Sequence, residues 1–466
     1  MTRALRSACC RITLAGAVLA GCGGGDHRDP PVDAAQVPID SPAVIDSPPP
    51  PPVDAPARVS VTVLSDLGNG LPDTTARVIF AGPSNQLVQQ GLVGTAGDAS
   101  ADLPGGGLVH VVHVSDFSTT SRFVRLLSIR VQPGDNLTFG EAVSVPQGTR
   151  ITVDGTFTPI ENLSTLYTFA HPCGRGSPTS GGGDVVRLDS VVGCLPASFD
   201  VLGTTSIPNN PPVPRFVWFK ATPAGGFAAP AMTEMQRFNA VINRVPVGSF
   251  VDVARVTALP PYFDRAAGTD APATGTDTTV TAFPFYPPPP ADSTAIGIVN
   301  VKIRPSESAE PVQILQVRVA GSAASAVLDL EELPLPVVQT APTLSGKVVS
   351  WTQTGSGTPD LRQVTVSSSY AIGTLNYSVS WTLIDGDSTN TVELPGLPAM
   401  FVDFDPTQQP APRPGNGRVV YVNYSNLQGF DAARRLPLGS LGEQGLAFFG
   451  RGLFEGQLYS VRASMH

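Results

Sequence analysis

Two cysteines in the middle of the sequence are the first residues that could do chemistry. Cys173 and Cys194 flank a Gly- and Ser-rich segment, and in an exported chain such a pair most simply forms a disulfide. Closing this loop would contribute about 3 kcal/mol in the chain-entropy picture. The alternative is a metal site, because His171 and Cys173 share a side of an extended chain. Zinc needs four ligands, or three and a water, and no Cys or His is close to Cys194 in the sequence, so a disulfide is favoured.

Histidine offers few options for catalysis, because the chain has five and two of them, His27 and His466, are near its ends. His110 and His113 resemble a metal-binding pair. Residues three apart in a β-strand face opposite sides, however, so they cannot chelate one ion without a bulge. The spacing predicts a strand with one histidine inside and one outside, or both in solvent.

Two acidic segments could bind a cation or cleave a glycosidic bond. Asp385 to Asn390 reads DGDSTN, and its alternating carboxylates could contact Ca²⁺, but Asp-Gly directly after a strand favours a hairpin turn. Glu331 and Glu332 lie beside Asp329, and nothing fixes a partner carboxylate at catalytic distance. We expect a solvated acidic surface at Asp329, Glu331 and Glu332, and no metal site in either segment.

The sequence VSWT occurs twice, at 349–352 and 379–382. Alternation puts Trp351 and Trp381 on the face of the Val two residues earlier, which favours a packed core or paired strands over a ligand-stacking site. The chain has no nucleophile elbow, zinc-protease motif, P-loop or dinucleotide fingerprint. We therefore predict no catalytic residue and no cofactor, and a non-catalytic role is favoured over an enzyme.

Composition predicts the elements that must position these residues. The 466-residue chain has 47 Gly and 47 Pro, 41% hydrophobic residues and only 14% charged residues. Such a composition favours many turns, few long helices and an all-β fold, with two to four domains for this length. The net charge is −9 without a Lys/Arg cluster, which argues against a nucleic-acid partner.

The N-terminus has the pattern of an export signal. Arg3, Arg6 and Arg11 precede or border the nine apolar residues 12–20, a run too short to span a bilayer as a helix. The following LAGC, which ends at Cys22, resembles the lipobox of bacterial lipoproteins. The resemblance implies that residues 1–21 are a signal peptide and that Cys22 carries acyl chains, whose combined insertion anchors the protein to a membrane.

The segment after the lipobox cannot form a core. Residues 22–57 repeat a short Asp/Pro unit and contain five consecutive prolines at 48–52, which predicts a disordered, extended tether. Similar tethers follow the lipobox of myxobacterial-type lipoproteins. Gly23, where an Asp would resemble an inner-membrane retention signal, implies an outer-membrane location on the periplasmic or cell-surface face.

In the part of the chain after the tether, hydrophobic and polar residues alternate as they do in β-strands. The order D-x-x-N-G-x-P, then A-R-V-I-F, then a shortened T-A-G-D-A, resembles bacterial Ig-like and carboxypeptidase-regulatory-like domains over residues 58–106. We expect two or three β-sandwich domains after the tether. The predicted boundaries are 58–145 for the first sandwich, 146–260 for a second β domain with the disulfide, 261–292 for a loop or linker, and 293–466 for a C-terminal β domain. A short helix is expected within 430–439.

These features predict a cell-envelope lipoprotein that displays β-sandwich domains. The membrane is a partner through the lipid anchor, and an envelope protein or polysaccharide is the expected ligand class. The C-terminal region resembles lipoproteins of the same bacterial group, which implies no activity. A surface-anchored hydrolase with an accessory Ig-like domain is the alternative, because catalytic triads assemble in space. A solute-binding lipoprotein is disfavoured, since those are usually α/β with long helices.

Overall fold

The computed structural model describes part of the chain between residues 57 and 463. The described residues are 57–64, 72–140, 150–159, 166–178, 184–191, 195, 197–206, 215–259, 263–272, 278–286, 295–306, 312–320, 323–332, 334–409, 412–425, 427, 429–436, 438 and 458–463. Cys22, the predicted signal peptide and all but the last residue of the predicted tether lie outside them. All described residues belong to the unit Asp54–His466.

The first sandwich is formed by seven strands. They are β1 (Arg58–Val63), β2 (Arg77–Ala81), β3 (Leu87–Leu92), β4 (Asp98–Asp102), β5 (Gly107–Ser118), β6 (Ser121–Val131) and β7 (Asn136–Phe139). One sheet has the order β4-β1-β7, with β1 and β7 parallel, and faces a layer ordered β3-β2-β5-β6. Alternate residues of β1, from Val59 to Val63, are buried between the layers, as the sequence pattern predicts.

The middle sheet follows directly in the chain. It contains β8 (Arg150–Thr156), β9 (Leu166–His171), β10 (Gly174–Pro178), β11 (Val185–Val191), β12 (Phe199–Ser206), β13 (Arg215–Ala221), β14 (Phe227–Ala228) and β15 (Thr233–Glu234). Their order is β14-β8-β11-β10-β9-β12-β13-β15. Aromatic side chains fill its core, with Phe169 contacting Phe157 and Phe219 edge-on.

A third group of strands pairs across the predicted boundary at residue 260. It contains β16 (Gln236–Asn243), β17 (Phe250–Leu259), β18 (Phe263–Pro272), β19 (Thr278–Phe285), β20 (Ile296–Arg304), β21 (Gln313–Val319) and β22 (Ser325–Asp329). The segment 261–292, expected to be a loop or linker, thus contains two strands. The reason is pairing: β18 follows β17 residue for residue, and β19 follows β16 and buries Phe283 and Phe285.

The C-terminal strands are β23 (Val337–Val338), β24 (Thr343–Ser345), β25 (Val348–Ser350), β26 (Gln353–Thr354), β27 (Leu361–Ile372), β28 (Leu375–Asp385), β29 (Thr391–Glu393), β30 (Arg413–Tyr424) and β31 (Leu458–Ala463). Two 3₁₀ helices span Ala399–Phe404 and Pro406–Gln408. The helix expected within 430–439 is confirmed as α1 (Phe430–Ala433). In the described part of the chain no helix is long and apolar enough to cross a membrane.

A twelve-stranded sheet, separate from the middle sheet, connects strands of the first sandwich, the third group and the C-terminal region, in the order β18-β17-β20-β21-β31-β30-β27-β28-β6-β5-β2-β3. Its central joint is a parallel pair, in which Asn376 to Ile384 of β28 run beside Ser121 to Ile129 of β6. Residues 58–140 and 337–438 therefore share a core, in which Phe139 and Val422 belong to one apolar cluster. We call these two segments the joined body. The protein is all-β, as predicted, but its first sandwich and C-terminal strands are not separately cored.

Candidate functional site

A small pocket lies at one end of the first sandwich, between its two layers. Its lining comes from strands β1, β5, β6 and β7 and from the loop that precedes β2. The lining residues are Val63, Leu64, Asp73, Ala76, Val111, His113, Arg125, Phe139 and Gly140. Because β1 and β7 are parallel, both strands end at this side of the sandwich. His113 and Arg125 are register partners on β5 and β6, so pairing places them together. We call this site the open-end pocket.

His113 connects the polar side chains of the open-end pocket. Its Nδ1 lies 3.3 Å from Ser115 Oγ, and its Nε2 lies 3.7 Å from Asp73 Oδ2. Ser115 is two residues further along β5 and so faces the same side. Asp73 Oδ1 accepts hydrogen bonds from the Thr75 N–H at 3.0 Å and the Thr75 hydroxyl at 2.6 Å. The carboxylate is thereby held in a turn, with its second oxygen directed at the imidazole.

Arg125 supplies a positive charge at the same pocket. Its guanidinium carbon lies 5.5 Å from the centre of the Phe123 ring, within the range of a cation–π contact. The pocket thus combines an apolar floor with one anionic, one cationic and one imidazole group. Such a set can orient a small polar group by charge and hydrogen bonding.

Ser115, His113 and Asp73 are the residue types of a hydrolytic triad. In that triad the hydroxyl bonds to Nε2 and the carboxylate to Nδ1, which is the reverse of the order found here. The 3.7 Å separation on the Asp73 side is also longer than a hydrogen bond. The geometry therefore suits the positioning of a polar ligand better than the activation of a serine.

This pocket had few signals in the sequence. His113 and Ser115 alternate on one strand, and that spacing was the available signal. Asp73 and Arg125 join them only through the turn before β2 and the β5–β6 register, which local patterns do not specify.

His110 lies on the other face of β5 and is fully buried, while the His113 side chain is 30% exposed. The predicted placement on opposite faces of the strand is confirmed; His110 is inside, and His113 is partly buried in the open-end pocket and does not lie fully in solvent. His110 Nδ1 is 2.7 Å from Ser128 Oγ, which also accepts a hydrogen bond from Trp381 Nε1 at 2.9 Å. On the other side, His110 Nε2 lies 3.3 Å from Asn85 Oδ1. Burial lowers the pKa of His110 to about 4, so the ring is neutral at pH 7 and serves as a structural connector.

His171 is also committed to structure. Its Nε2 donates to the Asp189 carbonyl at 3.1 Å, and its Nδ1 accepts from the Cys173 N–H at 3.2 Å. Burial lowers its pKa to about 4. Since both ring nitrogens are engaged, the alternative metal site at His171 and Cys173 loses its imidazole ligand. Cys173 is buried, but Cys194 lies outside the described residues, so the disulfide stays a prediction.

The two VSWT tryptophans are core residues, as predicted. Trp351 is 4% exposed and Trp381 is fully buried in the same apolar cluster. Trp351 Nε1 lies 3.0 Å from Gln353 Oε1 and 3.2 Å from the Tyr421 hydroxyl oxygen. Neither ring is available for a stacked ligand.

The segment from Asp385 to Asn390 is neither a hairpin turn nor a metal loop. β28 ends at Asp385, but the next strand, β29, pairs with β25 and so belongs to another sheet. The expected hairpin is therefore wrong. Arg362 is buried and is the register partner of Asp385, whose carboxylate its guanidinium holds at 2.7 and 2.6 Å. Its Nη1 also donates to the Thr389 carbonyl at 2.6 Å, which holds the segment after β28 against Arg362 and not in a hairpin. Among the described residues, no cluster of three or more His, Cys, Asp or Glu could hold a metal ion.

The acidic segment after β22 lies on the surface, as expected. Arg244 pairs with Asp329 and, at 2.8 Å, with Glu331, whose side chain is 58% exposed. The hydrogen bond from Arg244 lowers the pKa of Asp329. Glu332 is exposed beside them.

Comparison with known proteins gives only distant similarities. No protein-family profile and no curated protein matches the chain. Among solved structures, the Bacillus anthracis TIE protein is 10% identical over 58% of this chain with a TM-score of 0.14, and the match spans about half, 49%, of that protein. A Ca²⁺-stabilized adhesin with which an Antarctic bacterium binds ice is 13% identical, with coverage of 72% and 90% and a TM-score of 0.14. The chicken CNTN1 FN1–FN3 domains are 13% identical, with coverage of 56% and 84% and a TM-score of 0.12.

Proposed function

We propose that this chain is a lipid-anchored protein of the bacterial cell envelope with a non-catalytic binding or structural role. In this proposal acylated Cys22 inserts into the outer membrane and residues 23–57 form a spacer. The observation that carries the proposal is the continuity of the twelve-stranded sheet. β1, the strand that follows the spacer, is buried in a body whose sheet extends without interruption to β18. Such a sheet is a continuous platform on which loops and edges can be displayed.

The engagement of the buried polar residues also supports a non-catalytic role. His110 and His171 use both ring nitrogens in structural hydrogen bonds and are neutral at pH 7. Arg362 and Arg434 are buried in ion pairs with Asp385 and Asp135. General acid–base chemistry needs a titratable group with a free position for substrate, and these residues have none in the described contacts.

The lipid anchor can be tested by replacing the single residue Cys22. Cells that express the full chain would be fed an alkyne-tagged palmitate, and the protein would be partitioned between detergent and aqueous phases. We expect Cys22→Ser to abolish labelling and to move the protein to the aqueous phase, while Cys10→Ser, inside the predicted signal peptide, labels normally. Equal labelling of the two variants would contradict the anchor.

We assign the open-end pocket to a polar group of an envelope protein or polysaccharide ligand. Arg125 is the residue whose charge would fix that group. Binding to purified peptidoglycan and polysaccharide fractions should weaken in Arg125→Gln and persist in Arg122→Gln. Arg122 lies three residues earlier on β6 and pairs with the exposed Asp116 at 3.0 Å. Identical binding by the two variants would exclude the pocket as the ligand site.

A surface-anchored hydrolase is the second candidate, because His113 lies between Ser115 Oγ, 3.3 Å from its Nδ1, and Asp73 Oδ2, 3.7 Å from its Nε2. A serine nucleophile would react covalently with a fluorophosphonate probe. Labelling that disappears in Ser115→Ala and remains in Ser118→Ala, on the same strand, would establish this candidate. Absence of labelling in the native chain would remove it.

A further inference from the structure

The open-end pocket holds an imidazole nitrogen and a carboxylate oxygen that face each other without a hydrogen bond. His113 Nε2 and Asp73 Oδ2 lie 3.7 Å apart, which is longer than a hydrogen bond. The other polar atom of each group is already in use. Ser115 Oγ lies 3.3 Å from His113 Nδ1, and Thr75 donates to Asp73 Oδ1 from its N–H and its hydroxyl. An oxygen about 2.8 Å from both Nε2 and Oδ2 would bridge the gap between them.

The polarity of this gap selects a hydroxyl group. A carboxylate only accepts hydrogen bonds, so Asp73 favours the imidazole tautomer that carries its proton on Nε2, and the Ser115 hydroxyl then donates to Nδ1. A group between the two must accept from His113 and donate to Asp73. A hydroxyl does both with one oxygen, whereas an ammonium only donates and a carboxylate only accepts.

The size of the pocket supports the same choice. Its volume is about 20 Å³. A site needs about 10–15 Å³ to hold one water, so this pocket has room for a single oxygen and little more. The planar head of a primary amide, which could also accept and donate, has three heavy atoms and is too large. A hydroxyl that projects from a larger ligand is the group that fits.

The strands that line the pocket have no free edge for a peptide backbone within the described part of the sheets. β1 lies between β4 and β7, β5 between β2 and β6, and β6 between β5 and β28. The outer side of β7 is bonded at this end by Leu438, which donates to the Thr138 carbonyl and accepts from the Gly140 N–H. An extended peptide therefore cannot add to a sheet here. A saccharide carries its hydroxyls on a ring and needs no strand edge.

We propose that the open-end pocket binds one hydroxyl of a neutral polysaccharide, which accepts from His113 Nε2 and donates to Asp73 Oδ2. The proposal rests on the binding role proposed above and names the ligand class within it. The apolar part of the lining, which includes Val63 and Ala76, suits the C–H groups of a sugar ring. An acidic sugar is disfavoured, because its carboxylate would face Asp73 on a chain that carries −9.

Reversing the polarity of the gap tests the proposal. Binding of the full chain, in detergent micelles, is measured by biolayer interferometry on immobilised dextran and mannan, which are neutral, and on acidic polygalacturonate. We expect the native chain to bind a neutral polymer and Asp73→Asn to bind it about tenfold more weakly, because a hydrogen bond to a charged acceptor is lost. The new amide keeps its oxygen on Thr75 and presents an N–H to the gap, so Asp73→Asn should gain affinity for polygalacturonate.

The matched control is Asp116→Asn, which makes the same charge change on β5 at a side chain that is 66% exposed. It should bind all three polymers as the native chain does. A gain of polygalacturonate binding in Asp73→Asn alone would also show that this variant folds, since an unfolded chain would gain no such binding. Equal effects of Asp73→Asn and Asp116→Asn would overturn the hydroxyl contact.

The remaining outcomes separate the hydroxyl contact from the proposed function. If the native chain binds polygalacturonate and neither neutral polymer, the hydroxyl contact is wrong and polysaccharide binding stands. If Arg125→Gln weakens binding and Asp73→Asn does not, the pocket stands as the ligand site and the hydroxyl contact is again wrong. Failure of the native chain to bind any of the three polymers would overturn the hydroxyl contact as well.

Discussion

The joined body and the middle sheet are built in different ways. In the joined body, polar contacts connect residues far apart in the sequence: Trp381 donates to Ser128, and Arg434 contacts Asp135 with Nε 3.0 Å from Oδ2. In the middle sheet, Arg187 pairs with Asp154 on the adjacent strand, 33 residues away. The first region depends on buried contacts between distant segments, and the second on neighbouring strands that carry exposed ion pairs.

This difference determines what each region loses when a side chain is removed. When a buried group that connects two segments is removed, a cavity or an unpaired charge remains, and both segments lose packing. When one partner of an exposed ion pair on neighbouring strands is removed, water solvates the remaining partner. The same type of substitution should therefore have a much larger effect in the joined body.

The largest effect is expected for Trp381→Ala. Trp381 is fully buried and joins the C-terminal strands to Ser128, so its removal should lower the free energy of unfolding of the joined body by about 3–5 kcal/mol. The matched control is Trp218→Ala, a half-buried tryptophan on β13 of the middle sheet. Hydrogen exchange measured separately in the two regions checks this. Similar losses of unfolding free energy for the two tryptophan variants would contradict the difference between the joined body and the middle sheet.

A comparable loss is expected from Arg434→Met. Its side chain is 2% exposed and that of Asp135 is fully buried, so the variant leaves a buried carboxylate without its main counter-charge. We expect a loss of about 3–5 kcal/mol. The double variant Arg434→Met/Asp135→Leu should recover a large part of it, because the unpaired charge is then gone. Urea unfolding of the single and double variants measures these losses in unfolding free energy. If the losses of the two single variants simply add in the double variant, Arg434 and Asp135 are not a coupled pair.

Acid should destabilise both regions through their buried histidines. The pKa of His110 and of His171 is about 4 in the folded protein and 6.5 in the unfolded chain. A lowered histidine pKa contributes stability that is present above pH 6.5 and is lost as the pH falls towards 4. The expected loss is about 3 kcal/mol for each group. His110→Gln should flatten the pH dependence of the joined body alone, and His171→Gln that of the middle sheet alone.

The smallest effect is expected at the surface of the middle sheet. Arg187 and Asp154 pair at 2.9 Å with about half of each side chain exposed. Arg187→Ala should leave the thermal midpoint unchanged within error, because water replaces the ion pair. Differential scanning calorimetry measures it directly. A clear drop in Tm would show that this region, too, depends on its ion pairs.

Local patterns predicted individual strands well, and they did not predict strand partners. The alternation in β1 and the opposite faces of His110 and His113 follow from a period of two, which is a property of the strand alone. The β6–β28 pairing, the shared core and the Asp73–His113 contact depend on segments that meet only in the folded chain. The loop expected at 261–292 was wrong for the same reason, since its Thr- and Ala-rich strands are stabilised by the partners β17 and β16.

Strand β31 gives the sheet an order of assembly. It lies between β21 and β30, and within the described sheet it alone joins the four strands on one side to the seven on the other. Residues 458–463 are translated after every other described strand. Until they emerge, the two parts of the sheet each present an open inner edge, and neither can complete its hydrogen bonding. The twelve-stranded sheet can therefore close only after the last of its strands has been synthesised.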